Sequence, residues 1–247
     1  MFKYTTGFYQ KQVDGSARSA ALVVPVVLDL AAGIESVVDV GCGLGTFLAA
    51  FSSEGVSVIQ GIDGDYVDRG MLRIPGQQFM TQDLSKPLRL KRRFDLAVSL
   101  EVAEHLPNER GPSFVEDLTL LSDLILFSAG IPGQGGTHHV NEQWQDYWAA
   151  QFLSLGYHPI DAVRERIWDV EDIEAWYRQN TILYANDAAL QKYPKLRGER
   201  VASLCALRVV HPAIWTALPG PRKLWRIIIE TISSQVRKRA RRMVGSA

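Results

Sequence analysis

The stretch that decides the fold is residues 36–47, which read SVVDVGCGLGTF. A short β-branched run is followed there by three glycines at alternate positions, Gly41, Gly43 and Gly45. Valine-rich runs of this length favour a buried strand, and glycine permits both left-handed backbone and the close approach of another molecule. The stretch therefore predicts a strand that turns into a helix beside a bound ligand.

Outward from this stretch, short apolar strands alternate with helical patterns. Strands are predicted at Ser36–Val40, Val56–Ile62, Gln78–Thr81, Phe94–Leu100, Leu124–Ser128, His158–Ile167 and Thr181–Ala185. Helices are predicted at Ser16–Ala32, Thr46–Ser53, Ser113–Leu121 and Glu142–Leu155, with a short one around Val170–Arg178. This alternation indicates an α/β fold with a parallel sheet covered on both faces and an antiparallel last part. It ends near residue 190, so we expect one domain at 1–190 and a helical, basic extension at 191–247.

The composition is that of an ordinary globular protein. The 247 residues are 47% hydrophobic and 22% charged, and the formal net charge is zero, which argues against a nucleic-acid partner. The two cysteines, Cys42 and Cys205, form neither a disulfide framework nor a metal cluster. The N-terminus lacks the apolar core of a signal peptide, and no apolar run approaches the ~20 residues that span a bilayer. We therefore expect a cytoplasmic protein.

The last residues carry an uneven charge. Eight Lys and Arg residues follow Pro221, against the single acid Glu230, and apolar residues lie between them at largely helical spacing. An amphipathic helix with basic ends can lie on an anionic membrane surface. The alternative is a helix that packs on the first domain with its basic end in water.

Acidic residues lie at the carboxyl ends of three of the predicted strands. Asp39 lies within the end of the first strand, Asp63 ends the second, and Asp83 follows the third. Ligands of doubly wound sheets bind at the carboxyl ends of the strands, where Asp39 can pair with an ammonium group, Asp63 with ribose hydroxyls and Asp83 with an adenine amino group. A dinucleotide fingerprint would need glycine in place of Thr46. The three acids predict a nucleoside that carries an amino-acid tail.

The ordered segments VVDVGCGLGTF, GIDGDY, TQDL and FDLAVSLEVAEHL resemble four motifs of the class I S-adenosylmethionine-dependent methyltransferases. The segment after the fifth strand is similar to that of small-molecule O-methyltransferases. The resemblance covers most of residues 16–185 and implies a Rossmann-like sheet of order 3-2-1-4-5-7-6, with strand 7 antiparallel and helices on both faces. It also implies that S-adenosylmethionine is the cofactor and S-adenosylhomocysteine the product.

The same resemblance implies a set of cofactor-binding residues along these motifs. They are Asp39, Gly41, Cys42, Gly43, Gly45, Asp63, Gly64, Asp83, Leu84, Leu100, Glu101 and His105, with Arg18 near the methionine carboxylate. The run EVAEH is similar to one in ubiquinone-pathway O-methyltransferases whose corresponding positions bind magnesium. We expect no metal, and the alternative is magnesium bound by Glu101, Glu104 and His105, which share a face if a helix has begun there.

Methyl transfer to a hydroxyl needs a group that removes its proton. The loop after the fifth strand offers His138 and His139, and we favour His139 because it lies nearer the next helix. Trp144, Tyr147 and Trp148 are predicted to form an apolar or sugar-stacking wall. The sequence thus predicts methyl transfer to a hydroxyl of a small molecule or glycan. The alternatives are transfer to an amine of a small molecule or sugar, and a non-catalytic cofactor-binding protein.

Overall fold

A computed structural model describes residues 6–217, with side chains placed for residues 15–214. The chain divides into two compact units, residues 1–211 and 212–247, and the second is described only through one short helix. The amphipathic tail and the membrane contact expected of it lie outside the described residues. None of the helices from residue 6 to residue 217 is long and apolar enough to cross a bilayer.

The first unit is built on one sheet of seven strands. They are β1 (Ser36–Val40), β2 (Val58–Asp63), β3 (Phe79–Thr81), β4 (Leu96–Leu100), β5 (Leu124–Ser128), β6 (His158–Ile160) and β7 (Ile182–Ala185). Their order is β3-β2-β1-β4-β5-β7-β6. Strand β7 pairs antiparallel with both β5 and β6, and the pairs among β1 to β5 are parallel. The predicted sheet order is therefore confirmed.

Eight α-helices accompany the strands in the described part of the chain. They are α1 (Thr6–Leu30), α2 (Thr46–Ser53), α3 (Gly111–Leu121), α4 (Gln145–Ser154), α5 (Ala162–Ile167), α6 (Ala175–Asn180), α7 (Asp187–Lys192) and α8 (Pro212–Ala217). Short 3-10 turns lie at Arg69–Met71, Gly76–Gln78, Ala103–His105, Asn108–Arg110, Pro194–Glu199 and Leu204–Leu207.

Alternate side chains of each central strand enter two separate hydrophobic cores. In β1, Val37 belongs to the core beneath α1 and α2, whereas Val38 belongs to the core beneath α3 and α4. Neighbouring strands follow the same rule, as Leu96 and Ala97 of β4 show. Because both faces are buried, the strands are largely apolar, and the two acids within them, Asp39 and Asp63, lie at or next to a carboxyl end.

The predicted strand His158–Ile167 is wrong in its second half. Strand β6 ends at Ile160, and α5 begins at Ala162. Val163 and Ile167 lie four residues apart and are both buried, which is the spacing of one helix face. Arg164 is also buried and pairs with Asp161 at the start of this helix. Ile160, Val163 and Ile167 were thus assigned to one strand, although the last two lie on one face of a short helix.

The first unit extends beyond the predicted boundary at residue 190. Leu196 and Leu207 are buried in it, and Arg200 forms an isolated antiparallel bridge with Ile160 of β6. The side chain of Gln179 also donates to the carbonyl oxygen of Val209 at 2.5 Å. The segment that follows α7 thus packs against the sheet as part of the first unit.

Candidate functional site

A cavity of about 1110 Å³ opens at the carboxyl ends of the parallel strands. Its wall contains parts of the turns after β1 and β2, residues 81–86 after β3, residues from the 101–107 segment after β4, and Thr137 and His138 after β5. This is the sheet edge at which doubly wound folds bind their ligands.

The glycine turn after β1 is shaped by packing and by the cavity together. Gly41 has a left-handed φ of 85°, and a Cβ there would lie 2.3 Å from a methyl group of Val102. Gly43, with a φ of 51°, lines the cavity, and a Cβ there would meet nothing within 4 Å. Gly45 is the N-cap of α2. Glycine at position 43 thus leaves the backbone open to the cavity.

Asp63 joins this turn to the turn after β2. Its Oδ2 accepts from the Gly43 amide at 2.7 Å, and its Oδ1 accepts from the Gly64 amide at 2.7 Å and from the Tyr66 hydroxyl. The Tyr66 side chain is 78% exposed, yet its ring covers Gly64 and its hydroxyl is turned inward. Desolvation and the Asp63 carboxylate raise the pKa of Tyr66, so its hydroxyl keeps its proton at neutral pH.

Asp83 marks the rim of the cavity beyond β3. Its Oδ1 accepts from the Ser85 amide at 3.0 Å and from the Ser85 hydroxyl at 2.6 Å, and Lys86 lies 3.2 Å from its Oδ2. The hydrogen bonds from Ser85 lower the pKa of Asp83, and Lys86 adds to this effect. Asp83 is therefore ionised at neutral pH, and Leu84 lines the cavity next to it.

Five residues of the expected cofactor set do not line this cavity. They are Arg18, Asp39, Cys42, Gly45 and Leu100. Asp39 is buried, and this burial, with the neighbouring Asp63, raises its pKa. The Cys42 thiol is buried and donates to the Gly43 carbonyl oxygen at 3.6 Å, whereas the exposed Arg18 lies 3.7 Å from Glu174. The structure thus keeps the carboxyl of Asp39 and the guanidinium of Arg18 out of the cavity wall.

Glu101, directly after β4, has a constrained position. It is one of two described non-glycine residues with positive φ, here 56°, and its amide donates to the Ser128 hydroxyl oxygen at 3.0 Å. Its carboxylate accepts from Asn180 and from Gln134, each at 3.0 Å. Burial raises the pKa of Glu101, and these amide donors oppose that rise. Asn180 ends α6, and Gln134 belongs to the loop after β5.

Glu104 and His105 lie in a 3-10 turn, Ala103–His105, rather than in the helix that would give them a common face with Glu101. The Glu104 side chain is fully buried, and neither of its carboxyl oxygens has a hydrogen-bond partner. Burial, together with the Glu101 carboxylate, raises the pKa of Glu104 well above its usual range. Glu104 is therefore a neutral acid over a wider pH range than an exposed glutamate.

A ligand set for a cation exists among these residues, but it differs from the predicted alternative. One ligand atom each from Glu104, His105 and His139 lies within 4.8 Å of the others. His139 takes the place of Glu101, whose oxygens accept hydrogen bonds from two amides instead. Two imidazoles and a carboxylate suit a transition metal better than magnesium.

The two loop histidines occupy different positions. His138 lines the cavity, whereas His139 lies behind it, with Nδ1 2.9 Å from Oε1 of Glu142. Glu142 also accepts from the amides of Gly133 and Gly135 and so fixes the loop. The His139 ring stands edge-on to His105, with 4.8 Å between centroids.

His105 itself lines the cavity. Desolvation, with His139 close by, lowers the pKa of His105. At neutral pH its imidazole is therefore uncharged and able to accept a proton. Geometry places His105 and His138, rather than the favoured His139, in the cavity wall.

None of the three predicted aromatic wall residues lines the cavity. Trp148 is 1% exposed and packs on Phe127 in the core, with 5.4 Å between ring centroids. Tyr147 stacks edge-on against Trp148, and Trp144 is the N-cap of α4. Trp148 therefore does not belong to the acceptor side of the cavity that is defined below.

Four residues that shape the site were not predicted from the sequence: Tyr66, Gln134, Glu142 and Asn180. One signal for Asn180 was available. Strand β7 is antiparallel, so its first residue lies at the edge where β1 to β5 end, and Asn180 stands two residues before it. For the other three, nothing in residue type or spacing pointed to the cavity.

Comparison with known proteins agrees with this architecture. Residues 9–118 match the family model of a methyltransferase domain. No curated protein sequence matches the chain. Among solved structures, DesVI of Streptomyces venezuelae is 15% identical, with a TM-score of 0.56 over 75% of this chain and 100% of DesVI. The sugar N-methyltransferase KedS8 of a Streptoalloteichus species is 14% identical, with a TM-score of 0.54 over 75% of this chain and 94% of KedS8.

At these identities the two structures show a common fold and no more. The family match covers the glycine turn, Asp63 and the Glu101 segment, which are the residues that build most of the cavity. The matched domain and the sheet order 3-2-1-4-5-7-6 agree with the motifs of residues 36–106. Residues 9–118 therefore match a methyltransferase domain, and the chain has the seven-stranded sheet expected of the class I S-adenosylmethionine-dependent methyltransferases.

Proposed function

We propose that this protein transfers the methyl group of S-adenosylmethionine to a hydroxyl group of a small molecule or glycan. The observation that carries the proposal is the joint presence, in one cavity wall, of the fixed carboxylate of Asp63 and the uncharged imidazole of His105. The first suits a ribose, and the second suits a hydroxyl that must lose its proton.

The cofactor would lie over β1 to β3. Asp63 would receive the ribose hydroxyls, Gly41 and Gly43 would border the amino-acid tail, and Asp83 with Leu84 would border the adenine. The bound cofactor supplies a methyl group that its sulfonium makes electrophilic. The fixed Asp63 carboxylate holds the cofactor in one orientation, which favours an in-line displacement.

The acceptor would lie over β4 and β5, against the acceptor side of the cavity, which we define as Glu101, His105, Thr137 and His138. As the acceptor oxygen attacks, its proton passes to an imidazole of this side. We propose His105 for this role because its lowered pKa keeps it uncharged. His138 is the second candidate, and His139 would position the His105 ring from behind.

One observation favours an amine as a second candidate acceptor. Among the residues that the structure describes, the cavity wall contains four carboxylates, those of Asp63, Asp65, Asp83 and Glu101, but one cation, Lys86, which is already paired with Asp83. Such a wall attracts a positively charged amine. An amine can attack in its neutral form and lose its extra proton afterwards. The likeness to the sugar N-methyltransferase KedS8 points the same way but supports only the fold.

The test compares acceptors that differ in one group. The full chain is incubated with S-adenosylmethionine and matched pairs of sugars and amino sugars, and S-adenosylhomocysteine and methylated product are measured by mass spectrometry. We expect His105→Asn to lower turnover on hydroxyl acceptors by ~10²–10⁴. His158→Asn, which changes a histidine on the opposite sheet edge bonded to Arg200, should leave turnover unchanged.

Each outcome has a distinct meaning. Full activity of His105→Asn on a hydroxyl acceptor would refute its role as the base. Turnover of the amine member of each pair alone would establish the second candidate. Binding of S-adenosylhomocysteine without turnover on any pair would favour the non-catalytic alternative, and failure of the unaltered protein to bind it would refute the proposal altogether.

A further inference from the structure

We propose that the Glu101 carboxylate recognises the acceptor, and that it selects a neutral or cationic molecule with an N–H or O–H donor beside the reacting atom. The inference rests on the methyl-transfer function proposed above and assigns Glu101 to the acceptor instead of the cofactor.

Glu101 lies on the acceptor side of the glycine turn. Asp63 and Asp83 follow β2 and β3, on one side of the glycine turn after β1. Glu101 follows β4, which pairs with the other side of β1 and with β5. It therefore lies toward the strands whose loops supply His105, Thr137 and His138.

The Glu101 carboxylate is held in place by two side-chain amides. Asn180 donates to Oε1 and Gln134 donates to Oε2, while a second bond from Asn180 to the amide oxygen of Gln134, at 2.9 Å, fixes the orientation of that amide. Three separate elements thus meet at one carboxylate. Each of its oxygens can accept a further hydrogen bond, and Glu101 lines the cavity from which that donor would come.

The backbone of Glu101 is left-handed, with a φ of 56°. A left-handed conformation is uncommon for glutamate and persists where the surroundings impose it. Here the Ser128 hydroxyl oxygen accepts a hydrogen bond from the Glu101 amide, and the side-chain amides of Gln134 and Asn180 donate to the carboxylate. The strained conformation therefore serves to fix the side chain in the cavity wall.

The charges of the cavity wall favour a neutral or cationic acceptor. Glu101 is the one acid of the acceptor side, and within the described residues Lys86, paired with Asp83, is the only Lys or Arg that lines the cavity. A carboxylate or phosphate placed against Glu101 would meet a like charge with no cation to offset it. An ammonium or hydroxyl group would instead satisfy the free lone pairs, and a cation would also lower the energetic cost of the partly buried charge.

The experiment uses two probes of similar size that need no methyl transfer. Ethanolamine is a cation with both donor types, and glycolate is an anion that keeps the hydroxyl. Each is titrated into the full chain saturated with S-adenosylhomocysteine, with EDTA present, and the side-chain amide signals of Asn180 and Gln134 are followed by ¹⁵N NMR. We expect saturable shifts with ethanolamine and none with glycolate.

Glu101→Gln should weaken the ethanolamine response at least tenfold and leave S-adenosylhomocysteine affinity within threefold. Glu116→Gln, which neutralises an exposed acid of α3 outside the cavity, should respond like the unaltered protein. Glu101→Asp keeps the charge on a shorter side chain and should show an intermediate response. It provides the measurement if Glu101→Gln does not fold.

Three results would overturn the inference. They are an unchanged ethanolamine response in Glu101→Gln, an equal response to glycolate, and a loss of S-adenosylhomocysteine affinity greater than tenfold in the Glu101 variants. The last would return Glu101 to the cofactor while leaving the methyl-transfer function intact. A failure of that function would be seen separately, because the unaltered protein would then not bind S-adenosylhomocysteine.

Discussion

Tyr66 should compete with the cofactor for Asp63, and its replacement by phenylalanine should therefore tighten binding. A carboxylate offers about four acceptor positions. Three are already used in this structure, by the amides of Gly43 and Gly64 and by the Tyr66 hydroxyl. Two ribose hydroxyls need two positions, so the Tyr66 hydroxyl must leave before both can bind.

The size of the effect follows from the exposure of this tyrosine. A hydrogen bond to a charged group contributes ~1.5–3 kcal/mol when buried. The Tyr66 side chain is 78% exposed, so water recovers part of that loss, and we expect a net gain of about 0.5–1.4 kcal/mol on removal of the hydroxyl. This corresponds to roughly two- to tenfold tighter binding. Because the pKa of Tyr66 is raised, the gain should persist across neutral pH.

Isothermal titration with S-adenosylhomocysteine measures this gain directly. The matched control is Tyr157→Phe, which removes a buried hydroxyl that donates to the carbonyl oxygens of Thr119 and Ser122 at 3.0 and 2.7 Å. Tyr66→Phe should tighten binding and lower the melting temperature of the free protein only slightly, because the hydrogen bond that it loses contributes about 0.5–1.4 kcal/mol there too. Tyr157→Phe should lower the melting temperature and leave affinity unchanged. Unchanged or weaker binding by Tyr66→Phe would refute the competition.

Three further predictions concern stability and the glycine turn. Folding raises the pKa of Glu104, so the contribution of this residue to stability is present at acid pH and is lost as pH rises. The melting temperature of Glu104→Gln should therefore fall less between about pH 5 and pH 8 than that of the unaltered protein. An equal fall, measured by calorimetry, would contradict this prediction. Asp117→Ala leaves the buried Arg110 without its carboxylate and should lower the free energy of unfolding in urea by ~3–5 kcal/mol, and a loss below ~1 kcal/mol would show that the pair contributes little. Gly43→Ala and Gly33→Ala each place a methyl group in open space at a positive φ, and each should lower the free energy of unfolding by a similar ~1–2 kcal/mol. Titration should show weaker S-adenosylhomocysteine binding, by at least about tenfold, for Gly43→Ala alone.

The sheet could be predicted where local sequence carried the whole signal. Ser36–Val40 and Leu124–Ser128 were predicted at their observed bounds because strands buried on both faces are nearly continuous runs of apolar residues. The error in His158–Ile167 has the opposite origin. Helix α5 is only six residues long and half of them are charged, so its apolar signal is reduced to Val163 and Ile167, one helical turn apart.

The same division holds for the site. Asp63 and Gly43 are 20 residues apart, and a short motif was enough to bring them together. Glu101 and Asn180 are 79 residues apart, and their contact depends on the antiparallel direction of β7. The contact of Tyr66 with Asp63 depends on the conformation of one exposed side chain, which no pattern of residue types encodes.

Because β7 is inserted antiparallel between β5 and β6, the residues proposed for the cofactor and those that hold the acceptor carboxylate come from different parts of the chain. The groups proposed for the cofactor all precede residue 85, whereas the Glu101 carboxylate is held by residues 134 and 180, which the chain contributes much later. A substitution at position 134 or 180 can alter the choice of acceptor without changing any of the hydrogen bonds that Asp63 accepts. A lineage carrying this fold can thus exchange acceptors through its second half while its methyl donor stays the same.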